Sequence, residues 1–357
     1  MQETAPIVLA VENLRTSFTV DDGLLRAVDG VDFQIRRGQT LGLVGESGCG
    51  KSITAYSILR LTPPHARTEG RILLHRPDSG NGETMVDIAA LDPYGREVRA
   101  IRGKEISMVF QEPMASFSPV HTIGSQMTEA ILLHKTPNKK EAREIAVAML
   151  ARVGIANPSQ RIDEYPHQLS GGMRQRVMIA IALSCDPALL IADEPTTALD
   201  VTIQAQVLDL MEELQSQFGM SMLYITHDLG VIAELADEVA VMYLGKIVEH
   251  TDTQKLFDDP LHPYTVGLLR SIPQIGTRSH GRLASIEGTV PLPINLAPGC
   301  TFFARCPRAM PGICDRANPP LMEVEPGHRV RCFLYPQPDG RVAADAAQSG
   351  RHAEREN

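Results

Sequence analysis

The run Gly45-Glu46-Ser47-Gly48-Cys49-Gly50-Lys51-Ser52 has the residue types of a phosphate cradle. Its glycines let successive backbone N–H groups turn inward toward phosphate oxygens, and a helix opening at Lys51 adds the positive end of its dipole. In that frame the Lys51 ammonium reaches the β- and γ-phosphates and the Ser52 hydroxyl binds Mg²⁺. Far downstream, Leu189-Leu190-Ile191-Ala192 is an apolar strand ending in Asp193 and Glu194. Carboxylates there stand at the carboxyl edge of a sheet, facing the ligand crevice. Asp193 suits an outer Mg²⁺ contact and Glu194 suits polarising an attacking water. Asp-Glu-Pro alone is good turn chemistry; the phosphate loop tips the reading toward a nucleotide site. Between the two lies Leu169-Ser170-Gly171-Gly172-Met173, which opens a helical run. That is a second anion site, too far along the chain to belong to the first loop.

The chain has six cysteines. Cys49 lies in the phosphate loop and Cys185 in an apolar helical run, and both read as ordinary small residues. Cys300, Cys306, Cys314 and Cys332 crowd together near the end. In a reducing compartment such crowding points to a metal or cluster rather than disulfides. Zinc and iron–sulfur clusters both accept four cysteines, and the paired C-x-x-C knuckles that favour zinc do not occur here.

The 357 residues are 43% hydrophobic and 22% charged, enough apolar content for a large core. A net charge of −9, with no long Lys/Arg block, argues against nucleic acid as the main partner. No apolar run approaches the roughly 18 residues that span a bilayer. The longest candidate, 177–192, is broken by Asp186-Pro187, and residues 1–14 lack a basic-then-apolar secretory signal. The expectation is a cytoplasmic protein that meets a membrane only through a partner.

The elements that must position these groups follow from periodicity. Residues 7–33 alternate around Asp21-Asp22-Gly23 and predict an antiparallel hairpin. Strands are expected at 40–44, 106–110, 189–192, 222–226 and 239–243, and helices at 51–61, 171–183 and 203–218. The pattern is helical from 122 to 153, and 77–82 is a turn-rich surface segment. Strands alternating with helices predict a parallel sheet covered on both faces. Beyond Thr253 prolines accumulate, leaving little regular structure apart from 264–271, and 336–357 reads as a polar, disordered tail. His262-Pro263-Tyr264-Thr265 reads as packing at a helix start, with no chemistry assigned.

The order of motifs strongly resembles the ATP-binding subunits of ABC importers, over residues from about 7 to 335. The resemblance implies an α/β fold: a P-loop NTPase core of the ABC ATPase type, an antiparallel β subdomain, a helical subdomain and a small cysteine-containing C-terminal module. The ATPase domain is expected at 7–255 with its helical subdomain at about 112–170, the module at 256–335 and the tail at 336–357. It implies a nucleotide site made of Gly45, Glu46, Ser47, Gly48, Cys49, Gly50, Lys51, Ser52, Ile53 and Gln111, with Phe18 stacking on adenine. Gln111 matches the Q-loop glutamine, which senses the transmembrane partner and joins Ser52 and Asp193 around Mg²⁺. Glu194 and His227, the switch histidine, are the implied catalytic pair. Ser170, Gly171, Gly172 and Met173 match the signature that contacts ATP held by the opposite subunit. Ala198-Leu199-Asp200 looks like the D-loop.

Met173 stands where the common signature has glutamine, and Leu-Ser-Gly-Gly-Met-x-Gln-Arg is similar to the D-type subunits of dipeptide and oligopeptide importers. Those pair with a distinct F-type ATPase, so the resemblance implies a heterodimer, two permease subunits and, indirectly, an extracytoplasmic solute-binding protein. It places the chain at the cytoplasmic face of the bacterial inner membrane. Phe117-Ser118 replaces the usual Leu-Asn in the region facing the permease, and bears on which permease is used. The segment from Gly299 through Cys306-Pro307 resembles a module that in related subunits can carry a 4Fe–4S cluster, which puts iron–sulfur ahead of zinc at the four cysteines. The implied function is coupling of ATP hydrolysis to import of di- or oligopeptides. Nickel, opine and oligosaccharide importers of the same subfamily are the alternative cargo readings. From another class, a soluble ABC ATPase acting on DNA or ribosomes usually has two cassettes or a long coiled coil, and this chain has neither. A stand-alone kinase or GTPase leaves Gln111, His227 and the 169–173 element without a use.

Overall fold

The computed structural model describes residues 5–76, 84–112, 116–197, 199–272 and 286–336. Strands β1 (Ile7–Val20) and β2 (Gly23–Arg36) form the expected hairpin, turning at Asp21-Asp22. Next in the chain come β3 (Thr40–Val44), β4 (Ala66–Arg76) and β5 (Thr84–Asp87). β4 pairs with β1 and β5 with β4, giving an antiparallel sheet ordered β2-β1-β4-β5. Neither β4 nor β5 is legible from hydropathy: in β4 only Ile72, Leu73 and Leu74 are buried, amid charged residues.

The second sheet adds β6 (Ile106–Val109), β7 (Leu189–Asp193), β8 (Ser221–Thr226), β9 (Glu238–Tyr243), β10 (Lys246–Asp252), β11 (Met322–Glu325) and β12 (His328–Val330). Its order is β11-β12-β10-β9-β3-β8-β7-β6, parallel from β9 through β6 and antiparallel at β10, β12 and β11. Alternate residues of the central strands enter two cores, as a sheet covered on both faces requires. Leu190, Ala192, Met222, Tyr224, Val239 and Val241 pack on one side with the long helices. Leu189, Ile191, Leu223, Ile225 and Ala240 pack on the other with Ala55, Ile58 and the antiparallel sheet.

The helices are α1 (Lys51–Ile58), α2 (Arg96–Ile101), α3 (Ile123–His134), α4 (Lys139–Arg152), α5 (Pro158–Arg161), α6 (Gly171–Leu183), α7 (Val201–Phe218), α8 (Leu229–Leu235), α9 (Thr253–Asp258) and α10 (Pro263–Arg270). α1 ends before residue 61 because Arg60 takes a left-handed φ of 53°. The helical stretch 122–153 is two helices, since Asn138 caps α4 by accepting from the Lys140 N–H at 2.9 Å. The region past Thr253 is more regular than its prolines predict. It holds α9, α10 and the β11–β12 hairpin, which extends the main sheet through β10. The predicted segment 77–82 and, apart from Pro336, the predicted tail lie outside the described residues.

Candidate nucleotide site

β3 is buried at every position and delivers the chain to Gly45 at the carboxyl edge of the sheet. A Cβ on Gly45, at φ 156°, would stand 2.2 Å from the Met242 carbonyl oxygen; one on Gly50, at φ 102°, would stand 2.1 Å from that of Ala27. Both clashes are with backbone, so the loop tolerates only glycine there. Ser47 and Gly48 are exposed at its tip, while Cys49 is buried beneath and Ile53 packs against the core shared with the antiparallel sheet. Lys51 is buried, donates to the carbonyl oxygens of Gly45 at 2.7 Å and Glu46 at 3.1 Å, and lies 3.8 Å from Glu194 Oε1. Burial lowers the Lys51 pKa, and the nearby carboxylates oppose that shift.

The parallel register of β6, β7 and β8 brings Gln111, Asp193–Glu194 and His227 to the same edge. Glu194 leaves β7 with φ 46°, a left-handed conformation uncommon for a residue with a side chain. Its carboxylate is a hub. Gln111 Nε2 and Thr197 Oγ1 each donate to Oε2 at 3.0 Å, and His227 Nδ1 lies 3.3 Å from Oε1. Ser52 Oγ donates to Asp193 Oδ1 at 3.0 Å. Asp193 Oδ2 is buried with no hydrogen-bond partner among the described residues. Burial pushes the Asp193 carboxyl up to about 6. A hydroxyl beside an unpartnered carboxylate oxygen is a donor set suited to a hard divalent cation, so these residues fit Mg²⁺.

Ser170, Gly171, Gly172 and Met173 lie elsewhere. Ser170 is exposed and caps α6 by accepting from the Met173 N–H at 3.3 Å. No hydrogen bond or ion pair among the described residues joins this element to the phosphate loop. Asp200 caps α7, accepting from the Ile203 N–H at 3.0 Å, and Ala198 lies outside the described residues. Phe18 is half-buried on β1, its ring centroid 5.8 Å from that of His65. Phe117 is buried in the core with α3 and α6.

The cysteine segment is laced to both sheets. The Arg26 N–H donates to the Pro293 carbonyl at 2.9 Å, and the Arg331 N–H to that of Val248 at 2.8 Å. Buried Phe302 packs edge-on against Tyr243 and beside Tyr264 and His262. The Cys300 N–H donates to the Cys314 carbonyl at 2.7 Å. Burial, reinforced by the neighbouring thiols, pushes Cys300 up to about 11 and Cys332 up to about 12. Among the described residues, no three His, Cys, Asp or Glu side chains are arranged to hold a metal ion.

Three participants escape sequence reasoning. Thr197 is an ordinary residue three past Glu194. Tyr264 accepts the Glu46 N–H at its hydroxyl, 2.8 Å away, which gives the His-Pro-Tyr-Thr run a role at the phosphate loop. Arg305 pairs with the Glu46 carboxylate at 2.7 Å. Its one signal is position: a cation beside Phe302 and Phe303 has to find a partner when buried.

Comparison with known proteins accords with this geometry. Residues 28–197 match the ABC transporter family model, and residues 248–314 match the model for the C-terminal region of oligopeptide/dipeptide transporters. The oligopeptide transport ATP-binding protein AppD of Bacillus subtilis is 53% identical over 329 residues, covering 92% of this chain and 97% of AppD. The chain belongs to the ATP-binding subunits of the oligopeptide/dipeptide ABC transporter family. As an ABC ATPase it hydrolyses ATP. The dipeptide transport ATP-binding protein DppD of the same organism is 48% identical, over 92% of this chain and 95% of DppD. A dimeric bacterial ABC transporter cassette superposes with a TM-score of 0.58 at 25% identity, covering 69% of this chain and 98% of that cassette. Among the described residues, this ABC ATPase has no helix long and apolar enough to cross a membrane. The match to the C-terminal region includes Cys300, Cys306 and Cys314 and stops short of Cys332.

Proposed function

We propose that this ATPase drives import of di- or oligopeptides through a membrane permease, from the cytoplasmic face of a bacterial inner membrane. The observation that carries the reading is the convergence of Lys51, Gln111, Thr197 and His227 on one carboxylate, Glu194, beside Ser52 and Asp193. Glu194 orients and deprotonates the attacking water, and its partners hold the carboxylate in one pose before substrate arrives. Lys51 and the loop N–H groups bind the β/γ-phosphates. Ser52, Asp193 and Gln111 would hold Mg²⁺, which neutralises phosphate charge when bound. Phe18 contacts adenine. Ser170, Gly171, Gly172 and Met173, with Asp200, close the site of a second, F-type subunit, because the exposed α6 N-terminus has no use in its own.

The division into an ATPase domain at 7–255 and a module at 256–335 belongs to the same reading. So does a 4Fe–4S cluster on Cys300, Cys306, Cys314 and Cys332, which rests on the crowding of four cysteines in the sequence. The four side chains would have to draw together to hold it, since no three of them are arranged around a metal position. Zinc is the alternative occupant of that donor set.

The test is reconstitution of the chain with its two permease subunits and second ATPase, with hydrolysis measured as loaded binding protein is added. Stimulation by peptide-loaded binding protein, with poor turnover by the isolated chain, is the expected result. Stimulation only by a nickel- or sugar-loaded protein overturns the peptide reading, and equal turnover by a demonstrably monomeric chain overturns the composite site.

A further inference from the structure

Arg305, from the cysteine segment, reaches across to the phosphate loop. Its Nη1 donates to Glu46 Oε2 at 2.7 Å and its Nη2 to Oε1 at 3.0 Å, a two-pronged grip. Its other N–H groups donate to the carbonyls of Glu287 at 3.0 Å and Gly288 at 3.2 Å and to the Tyr243 hydroxyl at 3.4 Å. The side chain is 6% exposed, with its guanidinium carbon 5.8 Å from the Tyr243 ring centroid. Every donor of this buried cation is used. Glu46 is held just as fully. Its N–H goes to Tyr264, its carbonyl accepts from Lys51, and its carboxylate is taken by Arg305.

Glu46 follows the first glycine of a loop whose task is to attract a polyanion. A free carboxylate there opposes that task, both by repelling phosphate and by competing for Lys51. We propose that Arg305 is a positioning residue for nucleotide binding: it neutralises and immobilises the Glu46 carboxylate, so that the affinity of the phosphate loop depends on the cysteine segment. The proposal rests on the nucleotide-site reading above. It assigns Arg305 no contact with ATP.

The experiment is titration of the full-length chain with ATP, following affinity in wild type, Arg305→Ala, Glu46→Gln and the double variant. Arg305→Ala raises the Kd roughly tenfold, the scale of a charge-assisted pair broken on one side. Adding Glu46→Gln to Arg305→Ala restores affinity to within about threefold of wild type, because the unpaired carboxylate is gone. A role confined to holding the segment together gives no such rescue. A folded Arg305→Ala chain with Kd within twofold of wild type, or a double variant as weak as Arg305→Ala, overturns the proposal. If Arg305→Ala fails to fold, Arg305→Lys keeps the charge and loses the fork; about a threefold loss, again recovered by Glu46→Gln, is then required. A wild-type chain that fails to bind ATP refutes the nucleotide site itself, which separates the two failures.

Discussion

Acid should destabilise this protein through His262, and the expected size of the effect follows from where the ring sits. His262 is wholly buried, and its Nδ1 caps α10 by accepting from the Tyr264 N–H at 3.0 Å. An accepting nitrogen carries no proton, so protonation removes the cap and buries a charge together. Burial pushes the His262 pKa down from 6.5 to about 4, with the Glu249 carboxylate opposing the shift. The unfolded chain therefore takes up this proton first as pH falls. The stability contributed by neutral His262 is fully present above about pH 6.5 and is lost progressively toward pH 4. At about 1.4 kcal/mol per pH unit, the loss between pH 7 and pH 5 is about 2 kcal/mol. His262→Asn keeps a capping acceptor that does not titrate. It also gives up the ring contact with Phe302, but that cost is the same at every pH. Urea unfolding of both proteins at pH 7 and pH 5 isolates the term, since other titrating groups act equally in both. Wild type should lose about 2 kcal/mol more than the variant over this interval. Parallel pH profiles, within about 0.5 kcal/mol, refute the argument.

Glu194→Gln should bind ATP and hydrolyse it roughly 10²–10⁴ times more slowly in the assembled complex, as loss of a general base does; near-normal turnover removes Glu194 from that role. Gly50→Ala should abolish high-affinity ATP binding, because its Cβ meets the Ala27 carbonyl oxygen at 2.1 Å with φ at 102°. Unchanged ATP titration would show that the loop can move aside. Elemental analysis of anaerobically purified protein tests the proposed cluster: iron and acid-labile sulfide in near-equal amounts, lost on Cys300→Ser or Cys332→Ser and kept on Cys185→Ser, would support it, and protein without iron refutes it. Stoichiometric zinc without iron in protein never exposed to oxygen replaces the cluster with a zinc site.

Where burial is one-sided or complete, the chain spells its own fold. β3, β7 and β8 are apolar at nearly every position because both faces are covered, and hydropathy finds them within a residue. The catalytic-edge residues are legible for the same reason: Asp193 ends such a strand, Glu194 and His227 each follow one, and the carboxyl edge of a parallel sheet is where ligands bind. β4 is hidden because most of it is exposed and charged. Glu194's hub is hidden in a different way. Gln111, Thr197 and His227 are separated by long stretches of chain, and only the register of β6, β7 and β8 makes them neighbours. A spacing rule that sees one segment at a time has no access to that register.

The C-terminal segment departs furthest from its sequence pattern. Its prolines and small apolar content predict a loosely structured appendage. Its own core is indeed small: Val330, Cys332 and Leu334, with Leu261, Met310, Val324 and Tyr335 against them. Its order is instead borrowed. β12 takes its hydrogen bonds from β10, Phe302 fills an aromatic nest with Tyr243 and Tyr264, and Arg305 takes its counter-charge from Glu46. Borrowing runs both ways, since the phosphate loop draws the Glu46 N–H contact from Tyr264 and its charge balance from Arg305. A segment that merely capped the sheet could be replaced by any apolar cover. One that completes the polar partners of the loop cannot, because removing either Tyr264 or Arg305 leaves a group of Glu46 unpaired beside Lys51.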